Sequence, residues 1–219
     1  MLHLDLWWRG RNILRDSGSY SYNSPPPWRH HFGSTSAHNT IRIDGRNQMI
    51  KGPRFMWFDW TRARFLEHRR DAENDTERWR GEHYGYQRAC GVVHRREVRR
   101  SGETRWTIVD DLIGTGEHDV VLYWHLIDID WCWESPGREL RLDLPEGSVW
   151  ITVQWADGSS PEAEVIRGFE GPDLVSGWES LYYGERRPAP VLRVTRRGLL
   201  PLRIKTTIGL GQRLEGSCT

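Results

Sequence analysis

The residues best suited to chemistry lie between Asp16 and Gln48, in the run DSGSYSYNSPPPWRHHFGSTSAHNTIRIDGRNQ. Asp16 and His38 offer a carboxylate oxygen and an imidazole nitrogen, and both suit Zn²⁺ at about 2.0–2.2 Å. Two such ligands need a third, for which His3, His30 and His31 are the nearby candidates. The same Asp and His can equally form a hydrogen-bonded structural pair across a loop. Tyr20, Tyr22, Trp28, Arg29, His30 and His31 make a second constellation. Aromatic faces stack on the apolar faces of pyranose rings, and Arg or His neutralises a uronate carboxylate. The competing reading is a strand followed by a surface loop, because Pro25, Pro26 and Pro27 cannot join a central ladder.

Other candidates carry less. His83, His94 and His125 sit in strand-like contexts, and His125, between Trp124 and Leu126, reads as a satisfied core histidine rather than a ligand. Asp110 and Asp111 look like a glycosidase carboxylate pair, but adjacent residues on a strand point to opposite faces, which makes a poor acid–base couple. Cys90, Cys132 and Cys218 are odd in number and share no metal-ligand spacing, so no disulfide framework or zinc knuckle is implied. There is no Gly-rich phosphate loop, no Gly-x-Ser-x-Gly and no His-Glu-x-x-His.

The elements that must position these groups are strands. Leu2, Leu4 and Leu6 alternate with His3, Asp5 and Trp7, and Ile41 and Ile43 with Arg42 and Asp44. Further strand patterns run over residues 54–64, 92–98, 106–110, 120–129, 140–144, 149–155, 191–194 and 202–208. Turn chemistry separates them at Arg9-Gly10, Asp44-Gly45, Ser101-Gly102, Gly114-Thr115-Gly116, Pro145-Glu146-Gly147, Asp157-Gly158 and Arg197-Gly198. The polar stretch 69–78 reads as an exposed connection. With almost no 3.6-residue period, the pattern predicts an all-β fold, a large antiparallel β-sandwich, as one domain over residues 1–219.

Composition narrows the function. Apolar residues make up only 37%, yet 13 Trp, 7 Tyr and 5 Phe supply large units for a core, each burying about 150–250 Å². A net charge of +1 provides no long-range field to attract nucleic acid. Lys occurs only at positions 51 and 205, so the cations are nearly all Arg. Arg binds carboxylate, sulfate and phosphate bidentately and would suit a polyanionic glycan; an Arg-favouring genome explains the bias as well. No apolar run reaches 18 residues, so no transmembrane helix is expected. Met1-Leu2-His3-Leu4 has no basic leader region or cleavage site, and the chain reads as starting inside a strand without an export signal of its own.

Several stretches together resemble the C-terminal β-sandwich domain of the heparinase II/III-type polysaccharide lyases, a group that includes related alginate lyases. They are LHLDLWWRGRNILRDSGSYSYN, WRHHFGSTSAHNTIRIDGRNQ, EHYGYQRACGVVHRREV, WTIVDDLIGTGEHDVVLYWHL and SGWESLYYGERRPAPVLRVTRRGLLPLRIKTTI. They span essentially the whole chain in order, and Ala37-His38-Asn39-Thr40 with the Asp44-Gly45 turn and Gln48 is the most specific part.

The resemblance implies a super-sandwich packed against an N-terminal α/α toroid, with the cleft between them. It implies β-elimination on a uronic-acid-containing acidic polysaccharide. In such proteins a zinc ion is held by a His, an Asp and a second His, and Asp16 and His38 match the second and third. The first would lie in a segment ending where Met1 stands. The expectation is therefore an incomplete zinc site with one His ligand missing, and His3 is not promoted to that role. The toroid, with the catalytic Tyr and its neutralising Asn and His, is expected as a partner in cis or in trans. In this reading no catalytic residue lies in the chain and the isolated fragment is inactive. Tyr20, Tyr22 and Arg29 line one wall for substrate, and Asp16 and His38 are the metal ligands. The family implies the periplasm or cell envelope. The alternative is a non-catalytic carbohydrate-binding or structural β-sandwich module.

Overall fold

The computed structural model describes residues 1–53, 55–135, 138–171 and 174–211. Arg54 and Cys218, named above, lie outside them. The described chain is built of antiparallel strands, with short helices at Trp28–His31 and Gln87–Cys90 and one 3₁₀ turn at Thr35–Ala37. This is the expected all-β, large antiparallel class. The residues group into two compact units, each made of three separate chain segments.

The first unit comprises Met1–Thr61, His118–Asp128 and Ala163–Gly198. Its sheet orders Glu162–Arg167, Pro190–Leu199, Glu117–His125 and Ile41–Ile43 side by side. Val120 pairs with Ile43 and Leu122 with Ile41, and all four side chains are buried. Burying an aliphatic side chain of this size stabilises the fold by about 1.5–3 kcal/mol. Ile41–Ile43 leads directly into the Asp44-Gly45 turn, where Arg46 N–H donates to the Ile43 carbonyl at 2.8 Å. Both turn residues have positive φ, 49° and 64°, as a two-residue hairpin turn with the right-handed strand twist requires. Arg9 and Gly10, at 48° and 78°, do the same between strands Leu6–Trp8 and Arg11–Leu14.

The second unit comprises Arg62–Glu117, Ile129–Glu162 and Leu199–Thr219. Its eight strands run in the order Trp131–Ser135, Glu139–Leu144, Gly147–Trp155, Leu202–Leu210, Arg105–Ile113, Val92–Ser101, Thr76–Tyr86 and Ala63–Asp71. In Leu202–Leu210 the residues Leu202, Ile204, Thr206, Ile208 and Leu210 are buried, while Arg203 and Lys205 are exposed. That is the period-2 pattern of a strand with one packed face.

Four local expectations are corrected. Leu2–Leu6 is not a strand: Leu2 sits at φ 53° and only Leu6–Trp8 pairs, because side chains farther along capture the backbone carbonyls of this segment. Residues 69–78 are not a loose connection but the facing ends of two long strands, turning only between Asp71 and Thr76. Their charges bond across the ladder, as in Arg78 to Glu67 at 3.0 Å and His68 to Glu77 at 2.8 Å. Arg197-Gly198 lies inside the strand Pro190–Leu199 rather than in a turn. The 54–64 pattern divides into Trp57–Phe58 and the start of Ala63–Asp71.

Candidate metal centre and glycan cleft

Both candidate sites lie in the first unit. Asp16 follows the strand Arg11–Leu14, and His38 follows the 3₁₀ turn Thr35–Ala37. Asp16 Oδ1 accepts Gly18 N–H at 2.8 Å, which leaves Oδ2 facing His38 Nδ1 at 2.7 Å. His3 Nε2 lies 3.7 Å from the same Oδ2 and 3.0 Å from Asp5 Oδ1. His3, Asp16 and His38 thus each bring one possible ligand atom within 4.8 Å of the others.

Tetrahedral ligands around zinc are about 3.3–3.5 Å apart, given bonds of about 2.0–2.2 Å. The 2.7 and 3.7 Å separations bracket that edge, and two imidazoles with a carboxylate are a donor set zinc accepts. Asp16 and His38 therefore fit the ion implied by the resemblance, whereas His3 does not complete the set, because its Nδ1 accepts Asn39 N–H and its Nε2 lone pair is taken up by a proton. His3, set aside from the sequence, is the residue the fold brings to the pair, whereas His30 and His31 lie elsewhere. His3 Nδ1 accepts Asn39 N–H at 3.0 Å, which leaves its own proton on Nε2, facing Asp5 and Asp16. Burial lowers the His3 pKa despite these carboxylates. Burial would raise that of Asp16, but the hydrogen bond and charge of His38, then Gly18 N–H, hold it below the usual carboxylate range.

The motif Ala37-His38-Asn39-Thr40 builds this geometry, and each residue has its own partner. Ser17 Oγ donates to the Ala37 carbonyl at 2.7 Å. The fully buried Asn39 amide donates to the carbonyls of Leu4 (2.9 Å) and Arg15 (3.2 Å), and its Oδ1 accepts His125 N–H at 2.6 Å. Thr40 Oγ1 donates to the Met1 carbonyl at 3.1 Å. Asn39 therefore ties the His3 segment, the Asp16 segment and a core strand to one point. Its role was not visible from sequence, because its partners are 24 to 86 residues away. His125 is the satisfied core histidine expected: its Nε2 donates to the Ser36 carbonyl at 2.9 Å, and burial pushes its pKa down to about 3.

The same unit holds a cleft of about 470 Å³, lined by Tyr22, Arg29, His30, Lys51, Phe55 and Trp57 among others. Of the three residues expected to face substrate, Tyr22 and Arg29 line it. Tyr20 turns away, at φ 56°, into a cluster with Trp28 and Phe32, and its hydroxyl accepts Arg186 Nη1 at 2.6 Å. His31 packs edge-on against Trp28 and Phe32. Its Nε2 has no hydrogen-bond partner among the described residues, and burial lowers its pKa to about 4. The opposite wall of the cleft is a hairpin of Ile50–Lys51 and Trp57–Phe58, in which Lys51 pairs with Trp57 and places Nζ 4.5 Å from the indole centroid. Sequence reading missed this hairpin, although Lys51 is one of only two lysines.

The glycosidase-like pair separates as strand geometry demands. Asp111 is bonded to Arg203 on an exposed face. Asp110 is fully buried, accepting Arg96 Nε at 2.6 Å and His94 Nε2 at 2.7 Å.

The family model described as heparinase II/III-like, C-terminal, matches residues 1–207. No curated protein matches the chain. Among solved structures, a heparinase III gene product is 20% identical over 95% of this chain and 30% of its own, with a TM-score of 0.75. A second heparinase III is 18% identical over 96% of this chain and 29% of its own, with a TM-score of 0.76. Heparan sulfate lyase HepC from Pedobacter heparinus is 17% identical over 97% and 31%, with a TM-score of 0.71. The shared fold is the C-terminal β-sandwich of those enzymes, and the chain spans about 30% of their length. On the match over residues 1–207, the chain belongs to the heparinase II/III-like C-terminal domain family.

Proposed function

We propose that this chain serves a polysaccharide lyase as its sugar-facing C-terminal β-sandwich, in β-elimination on a uronic-acid-containing acidic polysaccharide. An α/α-toroid domain, in cis or in trans, supplies the opposite side of the active cleft. The observation that supports this most is the family match, joined to a cleft whose described lining holds Arg29, His30 and Lys51 and no carboxylate.

β-Elimination removes the proton at C5 of the uronate and expels the substituent at C4, so charge builds on the sugar carboxylate as the proton leaves. A fixed cation held against that carboxylate stabilises the charge. Arg29 provides one from this side. Tyr22, half exposed at the rim, offers a ring face to a pyranose. The base and acid belong to the toroid, so the 219 residues alone turn over little or no substrate.

In the same proposal Asp16 and His38 would hold a zinc ion, which would supply a fixed positive charge there. The family resemblance implies the periplasm or cell envelope. No helix among the described residues is long and apolar enough to cross a membrane.

The test mixes the chain, with and without a toroid-containing partner, with heparan sulfate, alginate and hyaluronan, and follows the ultraviolet absorbance of unsaturated uronate. Product is expected only with the toroid. Robust product from the chain alone would overturn the one-sided cleft. Exposed rings at the cleft, Tyr22 against Phe55 at 5.4 Å and Tyr183 at 5.5 Å, favour a second reading as a non-catalytic carbohydrate-binding module. Binding without product in every combination would select it.

A further inference from the structure

Arg186, on an exposed loop of the first unit, sits in an aromatic cage. Its guanidinium carbon lies 3.9 Å from the Trp28 ring centroid, 5.1 Å from that of Tyr20 and 5.8 Å from that of Trp178. Its Nη1 also donates to the Tyr20 hydroxyl at 2.6 Å. The rings brace one another: Trp28 meets Trp178 edge-on at 5.0 Å and Tyr20 at 6.1 Å, and all three pack with the buried Phe32 and Val175. A guanidinium over several ring faces in a partly desolvated place is held more strongly than one at open surface.

The same loop holds the rest of Tyr20. Tyr20 has φ 56°, a conformation that a non-glycine residue keeps only where its surroundings fix it. Tyr20 N–H donates to Ser180 Oγ at 3.0 Å, and the Tyr20 carbonyl accepts Gly184 N–H at 2.7 Å. With the Arg186 bond, every polar group of Tyr20 is engaged by residues 180–186. Two residues on, Tyr22 N–H donates to Tyr183 Oη at 3.4 Å. Tyr20 points away from the cleft, but its neighbours Ser19, Ser21 and Tyr22 line it. Trp28 stands in the same relation to the other segment: it is buried, while Arg29 and His30 line the cleft. Arg186 therefore touches the inward-turned residue of each of two segments whose outward residues form the cleft.

We propose that Arg186 is a positioning residue for this cleft. Seated between Tyr20 and Trp28, it fixes the 19–22 segment against the helix Trp28–His31 and so sets Tyr22 and Arg29 for one ligand. The ligand rests on the glycan reading above; the positioning does not.

The test compares the full 219-residue chain with its Arg186→Ala variant in two measurements. One is calorimetric binding of a heparan sulfate oligosaccharide, and the other is amide hydrogen exchange over residues 17–33. Binding should weaken about tenfold, the scale of a partly desolvated cation–π contact. Exchange over 17–33 should quicken severalfold, while that of Leu202–Leu210 on the second unit stays as in the wild type. Millimolar guanidinium, far below denaturing concentration, should enter the emptied cage and restore both, whereas sodium chloride at the same ionic strength should restore neither. A general loss of packing would not respond to one cation in this way. Arg203→Ala, an equal charge change on the second unit, should show neither defect nor rescue. Unchanged exchange over 17–33 in Arg186→Ala, or guanidinium no better than sodium, would overturn the proposal. If the wild type binds no oligosaccharide, the glycan reading fails, and the exchange measurement with its guanidinium rescue still decides the role of Arg186.

Discussion

Replacing Asp16 with Ala should abolish any zinc-linked stabilisation while leaving the chain folded. In the metal-free protein the carboxylate accepts Gly18 N–H at 2.8 Å and faces His38 Nδ1 at 2.7 Å, with 40% of its side chain exposed. Partly solvated bonds of this kind contribute about 0.5–1 kcal/mol each, so the direct cost is about 1–2 kcal/mol. Zinc at a hundredfold excess over its dissociation constant adds about 2.7 kcal/mol to the wild type. For a chain of this size that raises Tm by about 5–10 °C. Thermal unfolding with and without zinc, with elemental analysis of the dialysed protein, reads both terms. Asp16→Ala and His38→Ala should show neither shift nor bound metal. His3→Ala, His30→Ala and His31→Ala should keep the shift. Equal zinc content in wild type, Asp16→Ala and His38→Ala would refute the assignment.

Three further outcomes follow from the packing. Asp110→Ala leaves Arg96 and His94 buried without their shared carboxylate, so urea unfolding should show a loss of about 3–5 kcal/mol, most of it recovered in Arg96→Met with Asp110→Leu. Acid should also weaken the fold through His83, whose Nε2 lies 3.0 Å from His94 Nδ1 and whose pKa burial pushes down to about 2. Its unfolded form binds a proton near pH 6.5 and its folded form does not, so stability is full above pH 6.5 and falls by about 1.4 kcal/mol per pH unit below it; a flat urea midpoint between pH 7 and pH 5 would contradict this. Gly18→Ala should cost several kcal/mol, since Gly18 has φ +86° and a Cβ there would lie 1.9 Å from the Ser180 carbonyl oxygen; an unchanged Tm would show that the Gly18–Ser180 bridge gives way easily.

Much of the architecture was legible because period-2 burial writes itself into sequence. Leu202–Leu210, Glu139–Leu144 and the Asp44-Gly45 turn stand where their patterns put them. The same rule misled at Leu2–Leu6, where alternation exists but the backbone carbonyls are taken by Asn39 and Thr40 rather than by a neighbouring strand. It also hid residues 69–78, whose charges read as solvent-facing loop but pair across a hairpin.

The sequence by itself determined the all-β class, the family, and the residue types at Asp16, His38, Tyr22 and Arg29, because strand period, turn chemistry and motif order are local properties. Only the tertiary structure decided that His3 joins Asp16 and His38, that Tyr20 leaves the cleft for Arg186, and that Lys51 enters it. Each of those depends on contacts between residues far apart in the chain. Asn39 shows the reason most plainly: one buried amide satisfies three backbone groups from three segments, and a buried polar group must find its partners wherever the fold brings them.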